Sequence, residues 1–317
     1  MTTEFNDLNL HPQLVQAVTE RGYTNPTPIQ TAVIPTMLTG KDILGQAQTG
    51  TGKTAAFALP ILHNLTPGLG HVQALVLAPT RELGIQVAET MEVYGRLRKV
   101  SVLAVYGGTA YGTQIGSPRR GVDVVVGTHG RLLDLVKSKK MGFSQVQTVV
   151  LDEADEMLSM GFIEDIEAIL QATPAERQTA LFSATLPRQI RQLADKYMNQ
   201  PEAISIERSQ RTVAAIEQRA YLVNEQDKLA ALTRLFEVEP ITSALIFART
   251  RLGTAELANE LSVRGFPAEP ISGDLSQQAR EQVLNRFRQN QIKVLVATDV
   301  AARGLDIDDI SNVFNFD

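Results

Sequence analysis

Apolar positions along the chain fall into short β-branched or aliphatic runs, separated by longer stretches with helical spacing. Asp42 to Leu44, Ala74 to Ala78, Val100 to Val105, Val122 to Val126, Thr148 to Leu151 and Gln178 to Phe182 have the length and composition of strands. Between most of them the apolar residues recur on one helical face, as in Ala55 to Leu65 and Arg81 to Gly95. Strands alternating with helices in this way predict a parallel sheet covered on both faces. After Pro201 the chain turns polar from Glu207 to Gln218, and a second series follows: Arg219 to Val223, Ala244 to Phe247, Pro267 to Pro270, Lys293 to Ala297 and Asn312 to Asn315. The pattern predicts an α/β protein of two tandem parallel-sheet domains, residues 1–205 and 218–317, joined by a linker at 206–217. It shows no tandem repeat and no low-complexity tract.

Composition narrows the class. With 317 residues and 44% hydrophobic content the chain has ample apolar surface for buried cores, which excludes a disordered protein. It has no cysteine, so disulfide frameworks, zinc-thiolate sites and thiol catalysis are excluded. Met1 to Asn6 carry neither a basic nor an apolar leader region, and no apolar run approaches the roughly 18 residues of a membrane helix. The expectation is a soluble, cytoplasmic monomer. Formal net charge is −5, with 19 basic and 21 acidic residues over 1–217 and 11 and 14 over 218–317. Neither half is basic, so any grip on nucleic acid must come from local, specific groups and not from bulk charge.

Chemistry enters with Ala47-Gln48-Thr49-Gly50-Thr51-Gly52-Lys53-Thr54, placed after a strand and opening a helix. Glycines let backbone N–H groups curl around a phosphate, and the helix N-terminus adds partial positive charge. Lys53 then reaches the β/γ-phosphates and the Thr54 hydroxyl can ligate Mg²⁺. The general P-loop pattern has glycine where this chain has Ala47. Gly50 to Ala55 also fit a dinucleotide fingerprint, but that reading requires an acid at the end of the next strand, where the chain has Pro79-Thr80-Arg81. A second signal, Asp152-Glu153-Ala154-Asp155, follows the apolar run Thr148 to Leu151. Carboxylates at the C-terminal end of a parallel strand face the ligand crevice, which suits Asp152 to hold Mg²⁺ through water and Glu153 to orient or deprotonate an attacking water. The alternative is an acidic helix start that complements the helix dipole.

Gly22-Tyr23-Thr24-Asn25-Pro26-Thr27-Pro28-Ile29-Gln30 resembles the Q motif of DEAD-box RNA helicases, with Phe5 at the place of that family's isolated upstream aromatic. The resemblance implies two RecA-like domains and an ATP site in which Gln30 meets the adenine edge while Tyr23 offers a stacking face, with Phe5 among the nucleotide-binding residues. Further blocks follow in the family's order over nearly the whole chain. Pro79-Thr80-Arg81, Gly107-Gly108 and Thr128-His129-Gly130-Arg131 look like RNA-backbone contacts of the first domain. Ser183-Ala184-Thr185 looks like the motif that couples hydrolysis to strand separation, with Asp155 completing the catalytic set. Arg249-Thr250, Gly273-Asp274 and Thr298 look like RNA contacts of the second domain, and Asp306 like an ATP contact. The implied activity is ATP-dependent, sequence-independent binding of single-stranded RNA with local duplex opening, using ATP and Mg²⁺.

Two departures from the family pattern stand out. The chain has His129 where the family usually has proline. It also contains no His-Arg-Ile-Gly-Arg-x-Gly-Arg motif, which in the family shortly follows a strand like Val313 to Asp317. On that reading the second domain is incomplete at its C-terminus, and an ATP- and RNA-binding core with little turnover is the second functional expectation. A nicotinamide dehydrogenase is the third.

Overall fold

A computed structural model describes residues 4–108, 121–206, 216–302, 307 and 310–317. The chain forms two compact units, Met1–Ser209 and Gln210–Asp317. The greater part of the linker segment expected at 206–217 lies outside the described residues.

The first unit is built on a parallel sheet of seven strands: β1 (Ile43–Gln46), β2 (Ala74–Ala78), β3 (Val102–Val105), β4 (Val124–Thr128), β5 (Thr148–Leu151), β6 (Gln178–Ser183) and β7 (Glu202–Ser205), in the order β3-β4-β2-β5-β6-β1-β7. α1 (Pro12–Glu20) and α2 (Pro28–Leu38) precede β1. Parallel pairing demands a crossover between successive strands, and α3 (Lys53–Asn64), α4 (Arg81–Gly95), α5 (His129–Ser138), α6 (Ala154–Ser159), α7 (Ile163–Gln171) and α8 (Arg188–Tyr197) lie on such crossovers. The pleat divides the apolar runs between two layers. Val76, Val124, Val126 and Val150 pack with Phe57, Val87 and Met91 on one face. Their chain neighbours Leu75, Leu77, Val125, Val149 and Leu151 pack with Leu132, Met157, Ile166 and Ile190 on the other. Burial on both faces explains why these strands read as continuous apolar runs and not as alternation. Gly45 belongs to this packing, because a Cβ there would lie 2.7 Å from the Phe182 ring.

Two buried acids hold strand ends by accepting backbone bonds. Asp42 accepts from the amides of Thr179 and Asn199, each at 2.7 Å. Asp123 accepts from Gly68 N at 2.8 Å, Ser101 N at 2.9 Å and the Gln73 amide at 3.4 Å. Asp42, expected to open the first strand, instead caps it. Replacing Asp123 by alanine orphans these donors in a buried place, so a loss of about 3 kcal/mol in urea unfolding is expected.

The second unit carries a parallel sheet of four strands, β8 (Ala244–Phe247), β9 (Ala268–Ile271), β10 (Val294–Ala297) and β11 (Asn312–Asn315), in the order β11-β8-β10-β9. Its helices are α9 (Lys228–Val238), α10 (Arg251–Val263), α11 (Gln277–Arg288) and the short α12 (Asp299–Ala302). Phe236 joins α9 to the sheet through ring contacts with Phe266 and Phe314, at 5.1 and 5.5 Å.

Two sequence expectations are corrected here. Arg219 to Val223 is not a strand: it pairs with none of the four strands of the second sheet and leaves Tyr221, Leu222 and Val223 exposed. Conversely Glu202–Ser205, not among the expected strands of the first domain, is β7 at the sheet edge. Half-exposed and short, it shows no apolar run, and pairing with β1 together with the Lys41–Glu202 contact at 3.2 Å fixes it.

Candidate active site

The loop Ala47 to Thr54 runs from the C-terminal end of β1 into α3. Gly52 is the N-cap of α3 at φ 93°, a left-handed conformation open to glycine at little cost. Thr51 closes the turn by donating its hydroxyl to Gln48 O at 2.7 Å. The turn delivers Lys53 to the first position of α3, where it is 6% exposed and its ammonium has no hydrogen-bond partner among the described residues. An unpaired buried cation at a helix N-terminus is costly on its own and fits an anionic ligand.

Asp152 and Glu153 emerge from β5, separated from β1 only by β6. The Lys53 charge acts on both carboxylates. Asp152 is 2% exposed, and burial pushes its carboxyl above the ordinary aspartate value, against the pull of Lys53 and of the Glu153 amide that bonds it at 3.0 Å. Glu153 is pushed up to about 7, first by burial and then by the Asp152 charge, with Lys53 pulling the other way. It sits at φ 50° and ψ 49° as the N-cap of α6, a left-handed geometry that costs a residue with a Cβ about 1–2 kcal/mol. Strain and a displaced pKa at one carboxylate mark a functional position. No cluster of three or more His, Asp or Glu residues suited to a metal occurs among the described residues. A cation here would therefore be held by Asp152 and Thr54 together with ligand oxygens, the pattern suited to Mg²⁺ and not to an all-protein cage.

The other expected residues divide into those that face outward and those that build the site. Asp155, in the first turn of α6, accepts from Thr185 N at 2.9 Å and Thr185 Oγ1 at 2.8 Å, which ties the end of β6 to the acidic helix. Ser183 is fully buried and donates to Thr185 O, so it shapes that junction and does not face a ligand. Gln30 does more than the motif suggested. Its Oε1 accepts from Thr27 N at 2.9 Å in a capping box at the start of α2, and its Nε2 donates to Gly52 O at 3.1 Å. Thr27-x-x-Gln30 is a legible capping-box sequence, so this role was there to be read. Tyr23 is exposed. Phe5, expected among the nucleotide contacts, is corrected: it is 3% exposed and joins Leu8 in the core cluster beside α2, since Phe5-x-x-Leu8 spans a single 3₁₀ turn whose apolar side turns inward.

At the ends of β2, β3 and β4, Thr80 caps α4 by accepting from Leu83 N at 3.3 Å. The Arg81 guanidinium lies 4.4 Å over the Tyr106 ring and within 3.2 Å of where a Gly108 Cβ would stand. Arg131 is largely buried and donates from Nε to Tyr106 O at 2.9 Å. Tyr106, missed in the sequence because it is a lone aromatic at a strand end, thus anchors two of the expected arginines. Pro79 is buried, while Gly107, Thr128 and Gly130 remain at least partly open.

The second unit repeats this arrangement on β8, β9 and β10. Thr250 caps α10 by accepting from Gly253 N at 3.0 Å, and Thr298 accepts from Ala301 N at 3.3 Å. Arg251 pairs with Asp274 at 2.8 Å beside Gly273, as Arg81 stands beside Gly108. Asp274 therefore holds an arginine. Arg251 was not singled out, although Thr250-Arg251 repeats Thr80-Arg81. Arg249 is exposed and its amide donates to Asp317 at 3.4 Å. Asp306 lies outside the described residues.

The chain matches the DEAD/DEAH box helicase family over residues 27–193 and the helicase conserved C-terminal domain over 227–317. It is 47% identical over 317 residues to the DEAD-box ATP-dependent RNA helicase CshA of Bacillus subtilis strain 168, which covers all of this chain and 64% of that protein. The RNA helicase CrhR of Synechocystis is 48% identical over 318 residues, again covering 64% of its length. Among solved structures, S. cerevisiae Dbp5 bound to RNA and ADP BeF3 superposes with a TM-score of 0.86 at 32% identity, covering 99% of this chain and 80% of that one. The chain thus spans somewhat under two thirds of the length of these curated relatives. Those matches leave no place for a dinucleotide-dependent dehydrogenase, and with the P-loop and acidic strand end converging as they do, the chain belongs to the DEAD/DEAH box helicase family.

Proposed function

We propose that this protein is an ATP-dependent RNA helicase that binds single-stranded RNA without reading its sequence and opens short duplexes locally. The observation that carries the reading is the buried, unpartnered Lys53 ammonium at the head of α3, whose charge reaches Asp152 and Glu153. A nucleoside triphosphate supplies the missing counter-charge. Glycine-turn amides and the α3 N-terminus cradle its phosphates and Lys53 reaches the β/γ-phosphates; Thr54 and Asp152 would hold Mg²⁺, which would supply charge neutralisation at the phosphates. Glu153, with its pKa near neutrality, orients the attacking water and takes its proton. Thr80, Gly107, Gly108, Thr128 and Gly130 offer hydroxyls and backbone N–H groups to a sugar-phosphate chain, with Arg81 and Arg131 adding charge. The second unit brings a matching set in Arg249, Thr250, Gly273 and Thr298. The protein works in the cytoplasm as a monomer; no described helix is long and apolar enough to cross a membrane.

MgATP is expected to raise affinity for a short polyuridylate well above that of the nucleotide-free protein, and RNA to accelerate ATP hydrolysis. Binding of duplex DNA with equal affinity, with or without ATP, would sink this reading. Gln30→Ala adds a test of nucleotide choice. It is expected to lower stability by about 1 kcal/mol through the lost capping box and to weaken ATP more than GTP, because adenine-edge bonds go with it. Equal losses for both nucleotides, measured by calorimetry, would leave Gln30 only its bond to Gly52 and its cap.

A further inference from the structure

His129 opens α5 inside the turn Thr128 to Arg131, at the position where the sequence departs from the pattern it resembles. Its side chain is engaged on two sides. Nδ1 lies 2.9 Å from Asp165 Oδ2 in the first turn of α7, and the ring stacks on Phe162, the α7 N-cap, at 3.6 Å between centroids and 22° between planes. Only 14% of the side chain is exposed, which leaves little of it to meet a ligand. Thr128, the N-cap, makes no capping bond with its own hydroxyl, so that group does not fix the start of α5.

We infer that His129 is a positioning residue, which fixes the RNA-contact turn by tethering it to α7 through Asp165 and Phe162. The tether does with a side chain what proline does with its ring. Proline at the first helical position locks φ near the helical value and forgoes an N–H that has no intrahelical partner. Histidine has no such lock, and its backbone would be freer to fray at a helix end whose cap is not made. The bond to Asp165 and the stack on Phe162 remove that freedom. Phe162 and α7 follow α6 by a single turn, so the same contact joins the RNA-contact turn to the segment that begins at Asp152 and Glu153. The backbone is already compatible with the exchange, since Thr128 stands at φ −80° and ψ 144°, the extended geometry required of a residue before proline.

The inference rests on the RNA-binding reading, and two measurements separate their fates. In the first, affinity for a short fluorescein-labelled polyuridylate is measured with a non-hydrolysable ATP analogue. His129→Ala is expected to weaken it about five-fold or more and Asp165→Ala by a smaller factor, because the Phe162 stack remains, with the double variant no worse than His129→Ala alone, since that change already removes both contacts. ATP affinity should stay within about two-fold. His129→Pro should restore RNA affinity, and in its background Asp165→Ala should have no effect. A merely structural or direct RNA-contact role for histidine would not be rescued by proline. The second is hydrogen exchange of the RNA-free protein. Faster exchange at Gly130 and Arg131 is expected in His129→Ala and parent-like exchange in His129→Pro. Parent-like RNA affinity in His129→Ala, multiplying losses in the double variant, or failure of the proline rescue would overturn the tether. If the parent binds no RNA, the functional reading falls, and the exchange pattern decides the tether alone, with equal exchange in all variants overturning it.

Discussion

Lys53→Met is expected to weaken MgATP binding by about 100-fold or more while the protein stays folded. Methionine keeps the aliphatic length that packs under the phosphate turn but removes the charge, so the substitution isolates the ammonium. In the free protein that ammonium has no hydrogen-bond partner among the described residues, so its removal breaks no hydrogen bond among them. The loss falls on the complex, where the β/γ-phosphates would face Asp152 and Glu153 without compensation. A second effect follows from the electrostatics. Because Lys53 pulls the Glu153 pKa down, its removal should carry that pKa further above about 7. Calorimetry with MgATP and a melting curve on the same sample provide the check. Affinity within two-fold of the parent would mean the phosphates bind elsewhere.

Glu153→Gln is expected to slow hydrolysis by about 10² to 10⁴ under single-turnover conditions and to leave MgATP and RNA binding within about two-fold. The amide preserves size and the α6 N-cap but cannot accept the proton of water. With the parent, the carboxylate must be ionised to act as base, so kcat/KM for MgATP should rise with pH through about 7 and level off above it. Glutamine should abolish that rise, since it does not titrate. A pH profile unchanged by the substitution would assign the base to another group.

Both predictions rest on residues that were legible before any fold was known. Glycines before a lysine and threonine, and paired acids after an apolar run, are local patterns whose chemistry depends on backbone turns and strand ends. Short-range rules write these directly into the chain. The strands of the sheet interiors were legible for the same kind of reason. Ala74 to Ala78 and Thr148 to Leu151 are buried on both faces, so their composition alone marks them, whereas β7 at the edge needs only one side apolar and passed unnoticed. Arg219 to Val223 failed in the opposite sense: it has the letters of a strand, but a strand is made by hydrogen bonds to a neighbour, and this segment pairs with none of the four strands.

The sequence by itself determined the class of fold, the order of the motifs and the places of the glycine turn before Lys53 and of the paired acids Asp152 and Glu153, because each is set by residues adjacent in the chain. Tertiary structure alone decided which of the singled-out residues face outward. It buried Phe5 in the core and Ser183 at a strand end, engaged Gln30 with both Thr27 and Gly52, and gave Asp274 to Arg251. It also recruited Tyr106 between Arg81 and Arg131, and set His129 against Asp165, 36 positions further along the chain. These outcomes depend on what another element places within a few ångströms, and hydrogen bonds and ring contacts are too short-ranged for sequence spacing to foretell them.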